Sequence, residues 1–248
     1  MAMRTALDVN GLSYRYSDGT AALDDLHFQV QESECVGLIG PNGAGKSTLL
    51  LHLNGVLPET LARTATLSVF GEPLVEANLR SIRRQVGLLF QDPDDQLFCP
   101  TVYEDVAFGP KQLGLDPAEI VPRVLAEVGL VGFESRSPSR MSHGEKRRAC
   151  LAGVLACDPA ILVLDEPSSD LDPRGRRELI ALLRRLPITK IIASHDLELV
   201  VELCSRVLVL DRGKIVADGP TTEILNDEPL MLAHGLERPH ILRHSHPH

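Results

Sequence analysis

Gly40-Pro41-Asn42-Gly43-Ala44-Gly45-Lys46-Ser47-Thr48 has the spacing of a phosphate-binding loop: glycine, four residues, then glycine, lysine and a hydroxyl side chain. The apolar run Cys35 to Ile39 before it reads as a short buried strand, and Leu49 to Leu53 after it continues as a helix. That context is the one the pattern requires. Glycines let backbone N–H groups curl round phosphate oxygens, and the start of the following helix adds partial positive charge. On this reading Lys46 reaches the outer phosphates and the Ser47 hydroxyl ligates Mg²⁺.

Outward from this loop, the composition narrows the possibilities. The 248 residues are 44 % hydrophobic and 24 % charged, the balance of a water-soluble domain with ample core. A formal charge of -9 offers no basic face to a nucleic-acid backbone. The stretch Ala149 to Cys157 is the longest uncharged apolar run near the middle of the chain, far short of the roughly 20 residues a spanning helix needs. Met1-Ala2-Met3-Arg4 carries no signal-like apolar core, so a cytosolic chain is expected. The cysteines Cys35, Cys99, Cys150, Cys157 and Cys204 form no CxxC pair and read as reduced core thiols.

Residues 5 to 34 alternate apolar and polar side chains in two stretches around Ser17-Asp18-Gly19, which predicts antiparallel strands. Tyr16 closes the first of them; its ring either stacks on a nucleobase or packs as an ordinary strand residue. Thr66 to Phe70 and Val86 to Phe90 read as further strands, and Gln91 to Phe98 as a surface loop broken by Pro93. Residues 99 to 157 are helical in pattern, punctuated by Pro100, Pro110, Pro117, Pro122 and Pro138. Within them Ser142 and Glu145 form a capping box at the start of a helix running to about Cys157. The box explains both residues structurally; a capped helix start holding serine and glycine is also a good anion site if a phosphate is presented to it.

Ala160 to Leu164 is a fully apolar strand followed at once by Asp165-Glu166-Pro167. Carboxylates at the end of a buried parallel strand are costly unless they meet a cation or a polarised water, and open α/β sheets bind ligands at those ends. Asp165 is therefore expected to hold Mg²⁺ through its water shell and Glu166 to act as general base. Arg174 to Leu186 reads as an amphipathic helix. Thr189 to Ser194 reads as a strand ending in His195, which is either structural or a γ-phosphate contact. Val207 to Leu210 and Lys214 to Ala217 flank a hairpin turn, and Thr222 to Asn226 is a short helix. The tail holds His234, His240, His244, His246 and His248, either a transition-metal ligand set or an unfolded extension.

Taken together, the chain resembles the ATP-binding-cassette ATPases over about residues 5 to 230. The aromatic falls on Tyr16, the phosphate loop on Gly40 to Thr48 and the glutamine loop on Gln91. The signature falls on Met141-Ser142-His143-Gly144-Glu145, the carboxylate strand with its D-loop on Ile161 to Asp172, and the switch histidine on His195. The resemblance implies an α/β phosphate-loop fold with an antiparallel β subdomain, a mostly parallel core sheet and a helical subdomain at about 92–157. A nucleotide-binding domain at 1–230 is then followed by a tail at 231–248. It also implies ATP and Mg²⁺ as cofactors, Gln91 as a further Mg²⁺ ligand, and head-to-tail pairing with a second copy, so that Ser142, His143, Gly144 and Glu145 face the nucleotide held by the partner. Three residues depart from the family pattern: His143 and Glu145 in the signature, and Asp170 in the D-loop.

Gln91-Asp92-Pro93-Asp94-Asp95-Gln96-Leu97-Phe98, Thr101 to Gly109 and Ser142 to Lys146 are similar to energy-coupling-factor importers, most of all their cobalt and nickel branch. This implies hydrolysis coupled to metal-ion import at the cytoplasmic face of the membrane. The partners implied are a transmembrane scaffold at the groove near Gln91 to Gln96, where Asp92, Asp94 and Asp95 meet basic residues, and indirectly a substrate-binding membrane protein. The alternatives are a vitamin importer's ATPase, a non-transport cassette ATPase acting in repair or on the ribosome, and a nucleotide or metal sensor with little turnover. The repair kind carries a long coiled-coil insertion and the ribosomal kind tandem cassettes; neither is expected of 248 residues with one phosphate loop.

Overall fold

The computed structural model describes residues 4–61 and 64–242. The alternating N-terminal stretches form β1 (Thr5–Arg15) and β2 (Ala21–Gln31), and the apolar run before the glycines forms β3 (Cys35–Ile39), which feeds α1 (Lys46–Leu53). Short strands β4 (Leu67–Val69) and β5 (Glu72–Pro73), helix α2 (Leu79–Gln85) and strand β6 (Val86–Leu89) follow. The helical region is α3 (Val102–Gln112), α4 (Pro117–Glu127) and α5 (His143–Leu155). The chain then runs through β7 (Ile161–Asp165), α6 (Pro173–Arg185), β8 (Thr189–Ala193), α7 (Leu197–Leu203), β9 (Arg206–Asp211), β10 (Lys214–Pro220), α8 (Thr221–Asn226) and α9 (Glu228–Ala233).

Two sheets result. One is antiparallel, in the order β2-β1-β4-β5. The other runs β10-β9-β3-β8-β7-β6 and is parallel except for β10. Strands buried on both faces need apolar side chains at every position rather than at alternate ones, and all five residues of β7 are buried. Their parity divides the core. Leu162, Leu164, Ile192 and Val207 pack with α3 to α7, while Ile161, Val163, Ile191 and Leu208 pack with α1 and the antiparallel sheet. On α6, Leu179, Leu182 and Leu183 form the buried stripe that their spacing predicts, each contributing about 1.5–3 kcal/mol.

Several expectations change. Pro110 and Pro122 do not break the chain; they lie inside α3 and α4. Burial of Val106 and Pro110 on one helix and Val121, Val124 and Leu125 on the other outweighs the lost hydrogen bond. The loop after Gln91 contains a helical turn, Pro93–Asp95, begun by the Asp92 carboxylate, which accepts from Asp94 N–H at 2.9 Å. Helix α2 buries only Ile82 and so shows no apolar stripe to read. The tail boundary expected after 230 falls inside α9, whose Met231 is fully buried. All five cysteines are free thiols.

Helix α5 sits flush on β6. A Cβ added at Gly87 would lie 2.5 Å from Val154 Cγ1 and 3.0 Å from Pro159 Cγ, and a β-branched helix residue and a proline ring have little room to yield. Gly87→Ala is therefore expected to lower the denaturation midpoint by the equivalent of about 1–3 kcal/mol with the denaturant slope unchanged. A variant as stable as the parent would show that α5 does not pack this closely on the sheet.

Candidate functional site

The loop between β3 and α1 is shaped by what its glycines avoid. A Cβ at Gly40 would meet the Leu210 carbonyl oxygen at 2.0 Å, and one at Gly45, where φ is +106°, would meet the Ala22 oxygen at 2.5 Å. The loop thus lies tight between β9 and β2. Helices α3, α5 and α6 are capped by the side chains of Thr101, Ser142 and Asp172, whereas α1 has no side-chain cap and no acid in its first turn. Its leading N–H groups and the positive end of its dipole are left for an anion. Lys46 Nζ meanwhile donates to the carbonyls of Gly40 at 2.7 Å and Pro41 at 3.0 Å. Burial pushes the Lys46 pKa down, opposed by the carboxylates of Glu166 and Asp165.

This loop borders a cleft of about 700 Å³, lined also by Tyr16, Gln91, Asp165, Glu166 and His195. The structure therefore brings Tyr16, residues 42–48 and the strand-end residues to one place; Gly40 and Pro41 turn the loop from behind. Tyr16 Oη shares a hydrogen bond with Thr48 Oγ1 at 2.8 Å, and the ring leans edge-on against Tyr14 with centroids 5.0 Å apart. Ser47, Gln91 and Asp165 offer a hydroxyl, an amide and a carboxylate on one side of the cleft. An all-oxygen donor set of this kind fits a small hard cation such as Mg²⁺. Asp165 is buried, and burial raises its pKa against the lowering effect of its hydrogen bond from Ser47, with Glu166 raising it further. A bound cation would offset that cost.

Glu166 follows β7 with a φ of +46°, a backbone conformation unusual for a glutamate. Its N–H donates to Ala193 at 2.9 Å, and its carbonyl accepts from Arg147 Nη1 at 2.7 Å and Ser169 Oγ at 3.0 Å. The carboxylate is fully organised by the neighbouring strand end. Oε2 accepts from Ser194 Oγ at 3.1 Å and lies 2.7 Å from His195 Nδ1, while Oε1 takes the His195 N–H at 3.0 Å. The histidine side chain is 71 % exposed. Sequence reading overlooked Ser194, Ser169 and Arg147. A signal existed for the last: Arg147, Cys150, Leu151 and Val154 share one stripe of α5 and all are buried.

The signature residues lie outside this cleft. Ser142 Oγ accepts from Glu145 N–H at 3.3 Å and Glu145 Oε2 from Ser142 N–H at 2.7 Å, the expected capping box. Among the described residues the serine O–H has no acceptor, so its proton is left to donate. Gly144 packs against Leu171, where an added Cβ would lie 3.2 Å from Leu171 Cδ2. His143 borders an adjoining hollow with Gln91 and Asp165, and its Nε2 lies 3.6 Å from Asp170 Oδ2, so two of the three departures from the family pattern face each other. Of the acidic trio in the loop, Asp94 is engaged by Lys146. His234 Nδ1 pairs with Asp211 Oδ2 at 2.8 Å. Among the described residues no group of three His, Cys, Asp or Glu side chains could hold a metal ion; His244, His246 and His248 lie outside them.

Over most of its length the chain is similar to known proteins. The family model described as ABC transporter matches residues 23–169. A provisionally named ABC transporter ATP-binding protein of Streptomyces coelicolor is 53 % identical, covering 94 % of this chain and 90 % of its own. The energy-coupling factor transporter ATP-binding protein EcfA of Carboxydothermus hydrogenoformans is 44 % identical over 97 % of this chain and 90 % of its own. Among solved structures, cbiO1 from Clostridium perfringens, part of the ABC transporter complex cbiONQ, superposes with a TM-score of 0.78 at 34 % identity, covering 97 % of this chain and 98 % of its own.

Two outcomes are expected of this site. Lys46→Met keeps the buried stem and removes the charge, and should weaken MgATP binding at least about tenfold by fluorescence titration; unchanged affinity would remove Lys46 from the site. Because burial raises the Asp165 pKa, the carboxylate takes up a proton above the ordinary value of about 4. Mg²⁺-dependent nucleotide affinity should then fall on acidification from a correspondingly higher pH, and this step should vanish in Asp165→Asn.

Proposed function

The chain belongs to the ABC transporter family, and from that premise we propose that it is the ATP-hydrolysing subunit of an energy-coupling-factor importer carrying a transition metal ion, cobalt or nickel. The observation that carries the hydrolytic part is one cleft holding the uncapped start of α1, Lys46 and the Glu166 carboxylate together.

On binding ATP, Lys46 exchanges its loop carbonyls for β- and γ-phosphate oxygens, and loop N–H groups between Asn42 and Thr48 take the remaining oxygens, Ala44 apart, whose N–H donates to the Pro41 carbonyl at 3.2 Å. Tyr16 offers its ring to the base. Ser47, Gln91 and Asp165 would hold Mg²⁺, which supplies charge neutralisation on the phosphates when bound. Glu166 is the general base. Oε2 is occupied by Ser194 and His195, whereas Oε1 accepts only the His195 N–H closely and keeps room for a water. His195 Nδ1 faces Glu166, so a γ-phosphate contact uses Nε2 and requires a proton there, because a phosphate oxygen has none to donate. Positioning and charge do most of the work in phosphoryl transfer.

The site on one subunit is incomplete. Ser142, His143, Gly144 and Glu145 sit outside the cleft that holds the loop, which supports head-to-tail pairing with a second copy whose free Ser142 hydroxyl meets the γ-phosphate. A second hollow, of about 380 Å³, lies beside Gln96 and Leu97 and is walled by Leu88, Phe90 and Val154. Phe98 and Phe108 stand at its rim, 66 % and 46 % exposed, in an edge-to-face pair. Apolar surface of this kind suits a helix of a transmembrane scaffold. Among the described residues no helix is long and apolar enough to cross a membrane, so membrane association comes through that scaffold, with a substrate-binding membrane protein attached to it. Cobalt or nickel follows from the motif resemblance, supported by likeness to a subunit of the cbiONQ complex. Uptake of labelled cobalt, nickel and vitamins by cells expressing the whole transporter separates this reading from a vitamin importer.

Glu166→Gln should bind MgATP with parent-like affinity, release phosphate at least about a hundredfold more slowly, and shift from monomer to dimer with MgATP in light scattering. Parent-rate hydrolysis would overturn the general-base assignment; a monomer at saturating nucleotide would overturn self-pairing.

A further inference from the structure

Arg147 is 3 % exposed yet joins no ion pair among the described residues. Its guanidinium is spent on three neutral oxygens in two separate segments, the Gln91 loop and the Glu166–Ser169 turn. Nη1 donates to the Glu166 carbonyl at 2.7 Å, and Nη2 donates to the Gln91 carbonyl at 2.6 Å and to Ser169 Oγ at 2.8 Å. Its Nε is buried with no hydrogen-bond partner among the described residues. Burial lowers the Arg147 pKa, opposed at longer range by Cys150, Asp170, Asp92 and Glu166. A buried cation without a bonded carboxylate is a poor way to stabilise a core, since an apolar residue of similar volume commonly does as well or better. The position therefore calls for a reason other than stability.

The three anchor points supply one. Gln91 begins the loop between the nucleotide cleft and the apolar hollow beside Phe98. The Glu166 carbonyl belongs to the residue held at a φ of +46°, the backbone setting that directs its carboxylate toward Ser194 and His195. Ser169 Oγ closes a triangle by donating to that same carbonyl at 3.0 Å. Arg147 itself rides on α5, five residues after Ser142. Only a planar fork with several donors reaches all three at once; a lysine of similar length can satisfy one or two.

We propose that Arg147 is a positioning residue that ties the backbone of Glu166 and Gln91 to helix α5, so that the general base is aimed only while the helical subdomain is seated. The inference rests on the reading of Glu166 as general base and goes beyond it by naming what holds that base in register with the groove and the signature. A displacement of α5 then reaches the Glu166 backbone through the Arg147 Nη1 hydrogen bond, and one of the Gln91 loop through two.

The test compares the parent, Arg147→Lys, Ser169→Ala and the double variant, in thermal unfolding, MgATP titration, steady-state phosphate release and amide hydrogen exchange. Arg147→Lys is expected to lower kcat at least about tenfold with KM and nucleotide affinity within about threefold. Ser169→Ala should lower kcat a few-fold, and the double variant should be no more than about twofold slower than Arg147→Lys, because both changes break one network. Exchange should quicken at least about tenfold at Gln91 and Glu166–Ser169 and stay unchanged in the β1–β2 hairpin. Parent-like kcat, a kcat loss matched by KM and melting temperature, or additive effects would overturn the proposal. If Arg147→Lys does not fold, Ser169→Ala decides alone, and a parent-like kcat there overturns it. If the parent hydrolyses no ATP while exchange still quickens in Arg147→Lys, the general-base reading falls and the tether stands; unchanged exchange in Arg147→Lys sinks the tether in every case.

Discussion

The register of three parallel strands is the constraint on which the site depends. Leu38 of β3 lies opposite Ala193 of β8, and Ala193 lies opposite Asp165 of β7, so one row of the sheet sets the ends of all three strands level. The phosphate loop leaves the first end, Ser194 and His195 the second, and Glu166 the third. A slip in any pair would reverse which side chains face the helices and would part Lys46 from the carboxylates. The register is held because both faces of these strands are buried and each side chain has a designated layer.

Burial at that row makes the electrostatics expensive. Asp165, Glu166, Lys46 and Arg147 are all buried within one region, and burial pushes the Lys46 and Arg147 pKa values down and that of Asp165 up. Of these, Lys46 and Asp165 line the cleft, where a phosphate chain with its cation would relieve their cost. Lys46 meanwhile occupies carbonyls of its own loop and Glu166 is held by Ser194 and His195. The free subunit thus stores its charged groups in internal partnerships that a nucleotide can exchange.

The helical subdomain shares one core with this sheet, and α5 adds two specific ties to it. Val154 abuts Gly87 on β6, and Arg147 reaches the carbonyls after β6 and β7. The same helix is capped by Ser142, with His143 beside Asp170. An element that touches the sheet ends, the loop at Gln91 and the signature surface is suited to pass a displacement among them.

Local chemistry was legible in the chain itself. The glycine spacing of the loop, the apolar runs of β3, β7 and β8, the hairpin turns and the Ser142 capping box each depend on residues within a few positions of one another, and the strands and helix starts lie where that chemistry puts them. Pro110 and Pro122 misled because a local breaker rule was outweighed by long-range burial, and α2 and α9 were invisible because neither carries an apolar stripe. Ser169 and Ser194 became candidates only in three dimensions, and the role of Arg147, hinted at by its place on the apolar stripe of α5, did too, since each acts through a partner at least 19 residues away or through a backbone carbonyl that no side-chain pattern marks. Short-range stereochemistry determined by itself that this chain builds a phosphate loop on an α/β frame. Tertiary structure alone decided which buried groups meet at the strand ends, because strand order and register are settled by packing over the whole sheet.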